Sequence, residues 1–210
     1  MLIRFEVENF KNFKNKIVLD LSNTKGYEFK ENLVKNNVVR SGVIFGKNAS
    51  GKSNLGLALF DIVNHLTDKE KTTGAVFPYR NLNSKSNYVV FNYLFNFDGV
   101  EVEYNYSKVD PEELNNETLK INGKIVIEYN YSKNVGNCIL DGTENLNKVL
   151  DNNKLSFVKY INNNSVLKKN YVNDVFKKFI DFVDKMLLFY SLDYNRYIGY
   201  RIGSEPIADA

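Results

Sequence analysis

Residues 43 to 55 read Val43-Ile44-Phe45-Gly46-Lys47-Asn48-Ala49-Ser50-Gly51-Lys52-Ser53-Asn54-Leu55. A short apolar run leads into a glycine-bounded octet, and the octet into a segment with helical spacing. Residues 46 to 53 fit G-x-x-x-x-G-K-[ST] at every fixed position, the P-loop pattern. Each position has its own physical reason. Gly46 and Gly51 allow positive φ and let amide N–H groups approach phosphate oxygens with no Cβ in the way. The start of the following helix adds unpaired N–H donors and the positive end of the helix dipole. Lys52 supplies a point charge for the β and γ phosphates, and the Ser53 hydroxyl suits a magnesium ion bridging the same two groups. The stretch therefore predicts a nucleoside triphosphate site built from Gly46, Lys47, Asn48, Ala49, Ser50, Gly51, Lys52, Ser53 and Asn54, with Ser53 as the Mg2+ ligand.

Downstream, Leu55, Leu59, Ile62 and Leu66, with Ala58 and Val63, fall on one face and predict a helix from about 52 to 66. Val43-Ile44-Phe45 reads as the strand that enters the loop. Upstream, the alternation of Ile3, Phe5 and Val7 and the run Ile17-Val18-Leu19-Asp20-Leu21 predict two strands joined by residues 9 to 13. From about 88 to 131 the period is two. Phe91, Tyr93, Phe95 and Phe97 share one face, Asp98-Gly99 turns the chain, and Val100, Val102, Tyr104 and Tyr106 run back. A second turn falls at Asn122-Gly123, so this third of the chain predicts an antiparallel meander. Val172, Val175, Phe176, Phe179, Ile180, Val183, Met186 and Leu187 predict a long helix over about 166 to 187.

Composition bounds the rest. The chain has 210 residues, 43% hydrophobic and 25% charged, which is globular composition. No apolar run reaches the ~18 residues of a membrane span, and the N-terminus carries charge too early for a secretory signal, so a cytoplasmic protein is expected. One cysteine and one histidine exclude a disulfide framework and any familiar Cys/His zinc spacing. Cys138 reads as a small buried hydrophobe, and His65 as a partly exposed histidine at a helix C-terminus. A net charge of +3 neither requires nor excludes DNA.

Guanine-reading motifs are poor here. D-x-x-G is absent, Asn147-Lys148-Val149-Leu150-Asp151 is one residue too long for N-K-x-D, and Ser107-Lys108-Val109-Asp110 reads as a solvated turn. Five arginines, widely spread, are few for a small-molecule kinase.

Residues 2 to 11, residues 42 to 55 and the aromatic meander together resemble the N-terminal half of the ATPase head in SMC/ABC-type proteins, and more narrowly the AAA-family ATPases of the OLD and abortive-infection type. The resemblance implies an α/β fold: a P-loop NTPase lobe of ABC-ATPase-head type, with an antiparallel β-meander subdomain and a long C-terminal helix, over residues 1–210. It implies ATP and Mg2+ as ligands, a homodimer or larger assembly, and a DNA-directed or anti-phage effector, nuclease or toxin, as partner. It also makes Lys11 a phosphate contact, against a plain reading as a solvated charge in a turn. Asn48 either orders water or a partner's phosphate contact, or is there for left-handed backbone geometry.

Such heads also need an acidic strand end followed by Glu, a signature loop and a glutamine sensor. Cys138-Ile139-Leu140-Asp141 and the run ending at Asp193 lack the Glu, Asp141-Gly142 reads as a turn, no Leu-Ser-Gly-Gly-like stretch occurs, and the chain has no glutamine. The expectation is a front lobe, incomplete at its C-terminus, that binds ATP and hydrolyses it only with a second lobe. The apolar stripe of the last helix would then face an incomplete sheet. A stand-alone P-loop kinase or GTPase and a non-catalytic module regulating a full-length ATPase are the alternatives.

Overall fold

The computed structural model describes residues 1–24, 33–67, 69, 78–150 and 152–187. Seven strands form one antiparallel sheet: β1 (Leu2–Glu8), β2 (Ile17–Asp20), β5 (Val89–Phe97), β6 (Val100–Lys108), β7 (Leu114–Ile121), β8 (Lys124–Asn130) and β9 (Val135–Cys138), in the order β2-β1-β5-β6-β7-β8-β9. A two-stranded ribbon, β3 (Val34–Lys35) and β4 (Val38–Val39), forms a separate sheet joined to the end of β2 by the Val39 N–H, which donates to the Leu21 carbonyl at 2.8 Å. Among the described residues, three helices accompany the sheet in an α/β fold: α1 (Lys52–Leu66), α2 (Phe157–Asn164) and α3 (Tyr171–Asp184).

Alternation along each strand builds two unlike faces. One register row reads Phe5, Tyr93, Tyr104, Leu119, Ile127, Cys138 across six strands, and every member is buried. The row offset by one residue reads Glu6, Asn92, Asn105, Thr118, Glu128, Asn137 and faces away from the helices. Both hairpin turns behave as their sequences require: Asp98 and Gly99, and Asn122 and Gly123, all have positive φ.

The helices cover the apolar face. α3 lies against β5 and α1, with Phe179 edge-on to Phe95 at 5.5 Å, and α2 lies against α1, β7 and β8. The expected stripe of α3 is therefore not left facing an incomplete sheet; Val175, Phe176, Phe179 and Val183 are buried within the described core. The helix is also shorter than expected. Ser165 ends α2, the Asn170 side chain caps α3 by accepting from the Asn173 N–H, and Val166 between them is 90% exposed.

A second correction concerns the strand expected before the loop. Residues 41 to 47 have no regular structure, and Val43, Ile44 and Phe45 are 75%, 53% and 88% exposed. A strand requires a neighbour for its backbone groups, and no described strand lies beside this run. Asp151, all of the run ending at Asp193 after Leu187, and residues 198 to 206 lie outside the described residues.

Candidate functional site

The octet 46–53 lies on the surface at the N-terminus of α1. Gly51 is the N-cap residue with φ of 100°, and it offers no side chain to cap the helix. The first turn holds no acidic residue either, so an external anion would meet neither competitor there. A Cβ on Gly51 would lie 2.5 Å from Asn12 Nδ2 and 2.7 Å from Phe13 Cε1, so φ and space both demand glycine. Gly46 differs from expectation. Its φ is not positive, and a Cβ there would meet only the rotatable Ser50 Oγ closer than 3.0 Å, at 2.7 Å. The left-handed geometry expected at Asn48 falls instead on Ala49, at φ 62°.

Lys52 Nζ donates to the carbonyls of Gly46 and Lys47, both at 2.8 Å, and so closes the loop over its own backbone. Ser53 is exposed one residue further along the helix, and Lys47, Asn48, Ala49 and Ser50 are exposed as well. Asn54 donates to Asn12 Oδ1 at 2.7 Å, and Asn12 Nδ2 reaches the Ser50 carbonyl at 3.5 Å. The bend at 9–13 is thus docked on the loop through Asn12 and Phe13. Sequence reasoning placed the bend near the ligand but assigned these two residues no role.

The bend is itself rigidly held. Phe10 and Phe13 exchange backbone hydrogen bonds of 3.0 and 2.7 Å, and buried Asn9 donates to the carbonyls of Ser86 and Tyr88. Lys11, at φ 48°, donates its N–H to the Tyr79 carbonyl, and its own carbonyl accepts from Asn81. Partial burial pushes the Lys11 ammonium pKa down. Lys11 is therefore a structured member of the bend next to Asn12, with its backbone paired on both sides.

Behind the loop, α1 carries a buried polar network that the apolar stripe concealed. Asp61 accepts from Lys108 at 2.7 Å, from the Tyr106 hydroxyl at 2.9 Å and from the Tyr79 hydroxyl at 3.1 Å. Burial alone would raise the Asp61 carboxyl; the Lys108 ammonium, with His65, outweighs it and holds the group at about 2. Lys108, expected in a solvated turn, is fully buried because the inward positions of β6 continue from Tyr106 to residue 108. His65 is also buried. Its Nδ1 lies 3.1 Å from the Asp61 carbonyl and its Nε2 2.8 Å from the Tyr104 hydroxyl. Burial, then Lys108, push the imidazole below its usual pKa.

Tyr104 in turn contacts Glu117, which accepts from Ser156 Oγ at 2.6 Å, the Tyr131 hydroxyl at 2.8 Å and the Phe157 N–H at 2.8 Å. A carboxylate at the start of α2 suits the helix dipole. This chain of bonds ties the helix behind the loop to α2 without reaching solvent. It is architecture rather than a reaction centre.

Other sequence candidates resolve simply. Asp141 and Gly142 form the expected turn, with Gly142 at φ 100°, and Asp141 accepts from Asn170 at 2.6 Å. Cys138 is buried, as expected. Among the described residues no cluster of His, Cys, Asp and Glu is arranged to hold a metal, and no helix is long and apolar enough to cross a membrane. An open groove of about 420 Å³ lies over β7, β8 and β9, lined by Asn116, Thr118, Glu128, Asn130, Lys133 and Asn137 among others. It belongs to the opposite end of the sheet from the β1–β2 bend that carries the loop.

No protein-family model matches the chain, and no curated protein matches it.

Proposed function

We propose that this chain binds ATP through residues 46–53 and acts as the ATP-binding lobe of an SMC/ABC-like ATPase. The observation that carries the reading is the complete G-x-x-x-x-G-K-S octet at the start of a 15-residue helix whose N-cap has no side-chain partner. Gly51 and the first-turn amides would face the phosphates, and Lys52 would exchange its two carbonyl partners for phosphate oxygens. Mg2+ fits this donor set, because that ion keeps several waters and substrate oxygens and asks few ligands of the protein; the exposed Ser53 hydroxyl would be one. The metal would neutralise charge on the β and γ phosphates.

ATP is favoured over GTP, because Lys108 of the one N-K-x-D-like stretch within the described residues is buried against Asp61. Exposure of Val43, Ile44 and Phe45 supports a lobe that pairs with a further surface there, which would also supply the groups for hydrolysis. A DNA-directed or defence effector and a head-to-head dimer belong to the same proposal.

Titrating the purified chain with a fluorescent ATP analogue, in competition with ATP and GTP, tests it. The expected result is saturable, Mg2+-dependent binding that Lys52→Ala abolishes, ATP competing better than GTP, and no multiple-turnover phosphate release. Binding unaffected by Lys52→Ala would overturn the site, and Lys52-dependent turnover by the chain alone would overturn the dependence on a second lobe.

A further inference from the structure

Gly51 gives α1 an N-cap with no side chain, and the loop before it is held both by the Lys52 bonds within the octet and by contacts from outside it. Asn54, in the first turn of α1, does not cap its own helix. Its Nδ2 donates instead to Asn12 Oδ1 at 2.7 Å, and Asn12 Nδ2 lies 3.5 Å from the carbonyl oxygen of Ser50. Two carboxamides in series therefore link the first turn of the helix, through the 9–13 bend, to the last carbonyl before Gly51. The first bond is short and orients the Asn12 amide; the second is at the long end of hydrogen-bond range and depends on that orientation.

The Ser50 carbonyl and the Gly51 N–H belong to one planar trans peptide, so they point in opposite directions. Holding the carbonyl towards Asn12 turns the Gly51 N–H away from the bend. The bend also closes its own side: Asn12 and Phe13 leave no room there even for a methyl group on Gly51. An anion can reach the Gly51 amide only from the side that amide faces. Asn12 is meanwhile anchored by a framework that does not depend on the loop, since Asn9 and Lys11 are bonded to residues 79 to 88.

We infer that Asn12 and Asn54 are positioning residues, an amide relay that aims the Gly51 N–H at the polyphosphate while touching neither base nor ribose. The inference rests on the proposed triphosphate site and adds that part of its selectivity for the phosphate chain is set by the bend, outside the P-loop motif. Asn54 stands beside the octet by sequence, and this assigns it a role through Asn12 instead of direct phosphate contact.

The test measures the affinities of ATP, inorganic tripolyphosphate and adenosine for the intact chain and for Asn12→Ala, Asn54→Ala, the double variant and Lys52→Ala, with thermal melting as the fold control. One modest hydrogen bond supports a change of about fivefold. Asn12→Ala and Asn54→Ala are each expected to weaken ATP and tripolyphosphate by that factor, with melting unchanged. The double variant is expected to be no weaker than the worse single one, because both act through one chain of bonds. If Lys52→Ala abolishes binding while Asn12→Ala stays within about twofold of the parent, the relay is overturned and the nucleotide site stands. Losses for ATP alone, with tripolyphosphate unaffected, overturn it too, since Asn12 would then touch the nucleoside. Independent, multiplying losses in the double variant overturn the serial linkage. Binding indifferent to Lys52→Ala removes the site itself.

Discussion

Lys108 Nζ sits 2.7 Å from Asp61 Oδ2, with the lysine side chain wholly buried and the aspartate nearly so. The pair joins the helix behind the candidate loop to the second strand of the meander. Two hydroxyls, from Tyr79 and Tyr106, complete the carboxylate's hydrogen bonding, and the Pro111 carbonyl accepts from the ammonium at 3.2 Å.

Breaking such a pair from one side leaves a buried charge without compensation, which costs about 3–5 kcal/mol. Lys108→Met is expected to lose that much in urea unfolding. Adding Asp61→Asn should restore most of it, because the amide removes the stranded charge and keeps an acceptor for a tyrosine. A cost under about 1 kcal/mol for Lys108→Met would mean that the pair is not sequestered as described.

Acid should weaken the fold in two separate windows. Below its ordinary value of 6.5 the unfolded His65 takes a proton, whereas the folded imidazole, hemmed in by burial and Lys108, resists it despite Asp61 and Glu117 nearby. The unfolded state then binds more protons, so stability falls as pH drops from 6.5 towards the lowered folded value. Asp61 acts later. Its stabilisation is complete above the ordinary 3.8 and is lost as pH falls to about 2, a contribution of about 2 kcal/mol. Urea midpoints between pH 8 and 5 should therefore decline for the parent chain and flatten in His65→Gln. An equal decline in both would assign the first window elsewhere.

What the sequence disclosed and concealed follows from which forces act locally. The meander was legible because period-two alternation and Asp-Gly and Asn-Gly turns are short-range signals, and all four expected strands form. The octet was legible for the same reason. β9 was not, since Val135-Gly136-Asn137-Cys138 lacks β-branched density and forms only beside β8. α2 is eight residues ending in three asparagines, a poor helix by propensity, held by Glu117 and Ser156 at its start. His65 and Lys108 read as surface groups because the partners Tyr104 and Asp61 that hold them inside are remote in sequence. Extending the inward alternation of β6 by one step would have exposed Lys108. Val43 to Phe45 erred the other way: the run has strand composition, but no described strand pairs with it.

Gly51→Ala probes the docking of the bend on the loop. The new methyl would meet both Asn12 and Phe13 and would sit at a positive φ that alanine resists, for a cost of about 1–3 kcal/mol. Because that contact lies at the loop, nucleotide affinity should fall sharply while the aromatic core stays intact by near-ultraviolet circular dichroism. Undiminished ATP binding by Gly51→Ala would remove this glycine from the site.

Phe45→Ser should do the reverse of a core substitution. The ring is 88% exposed, so replacing it gives up little burial, and unfolding free energy should stay within about 0.5 kcal/mol of the parent. Its neighbours Val43 and Ile44 are exposed as well, and three apolar residues whose backbone groups pair with no described residue invite association through strand pairing. Light scattering should accordingly show less self-association in Phe45→Ser at matched concentration. A loss of several kcal/mol would show instead that Phe45 is covered in the isolated chain, and with it would go the support this run lends to a further surface docking there.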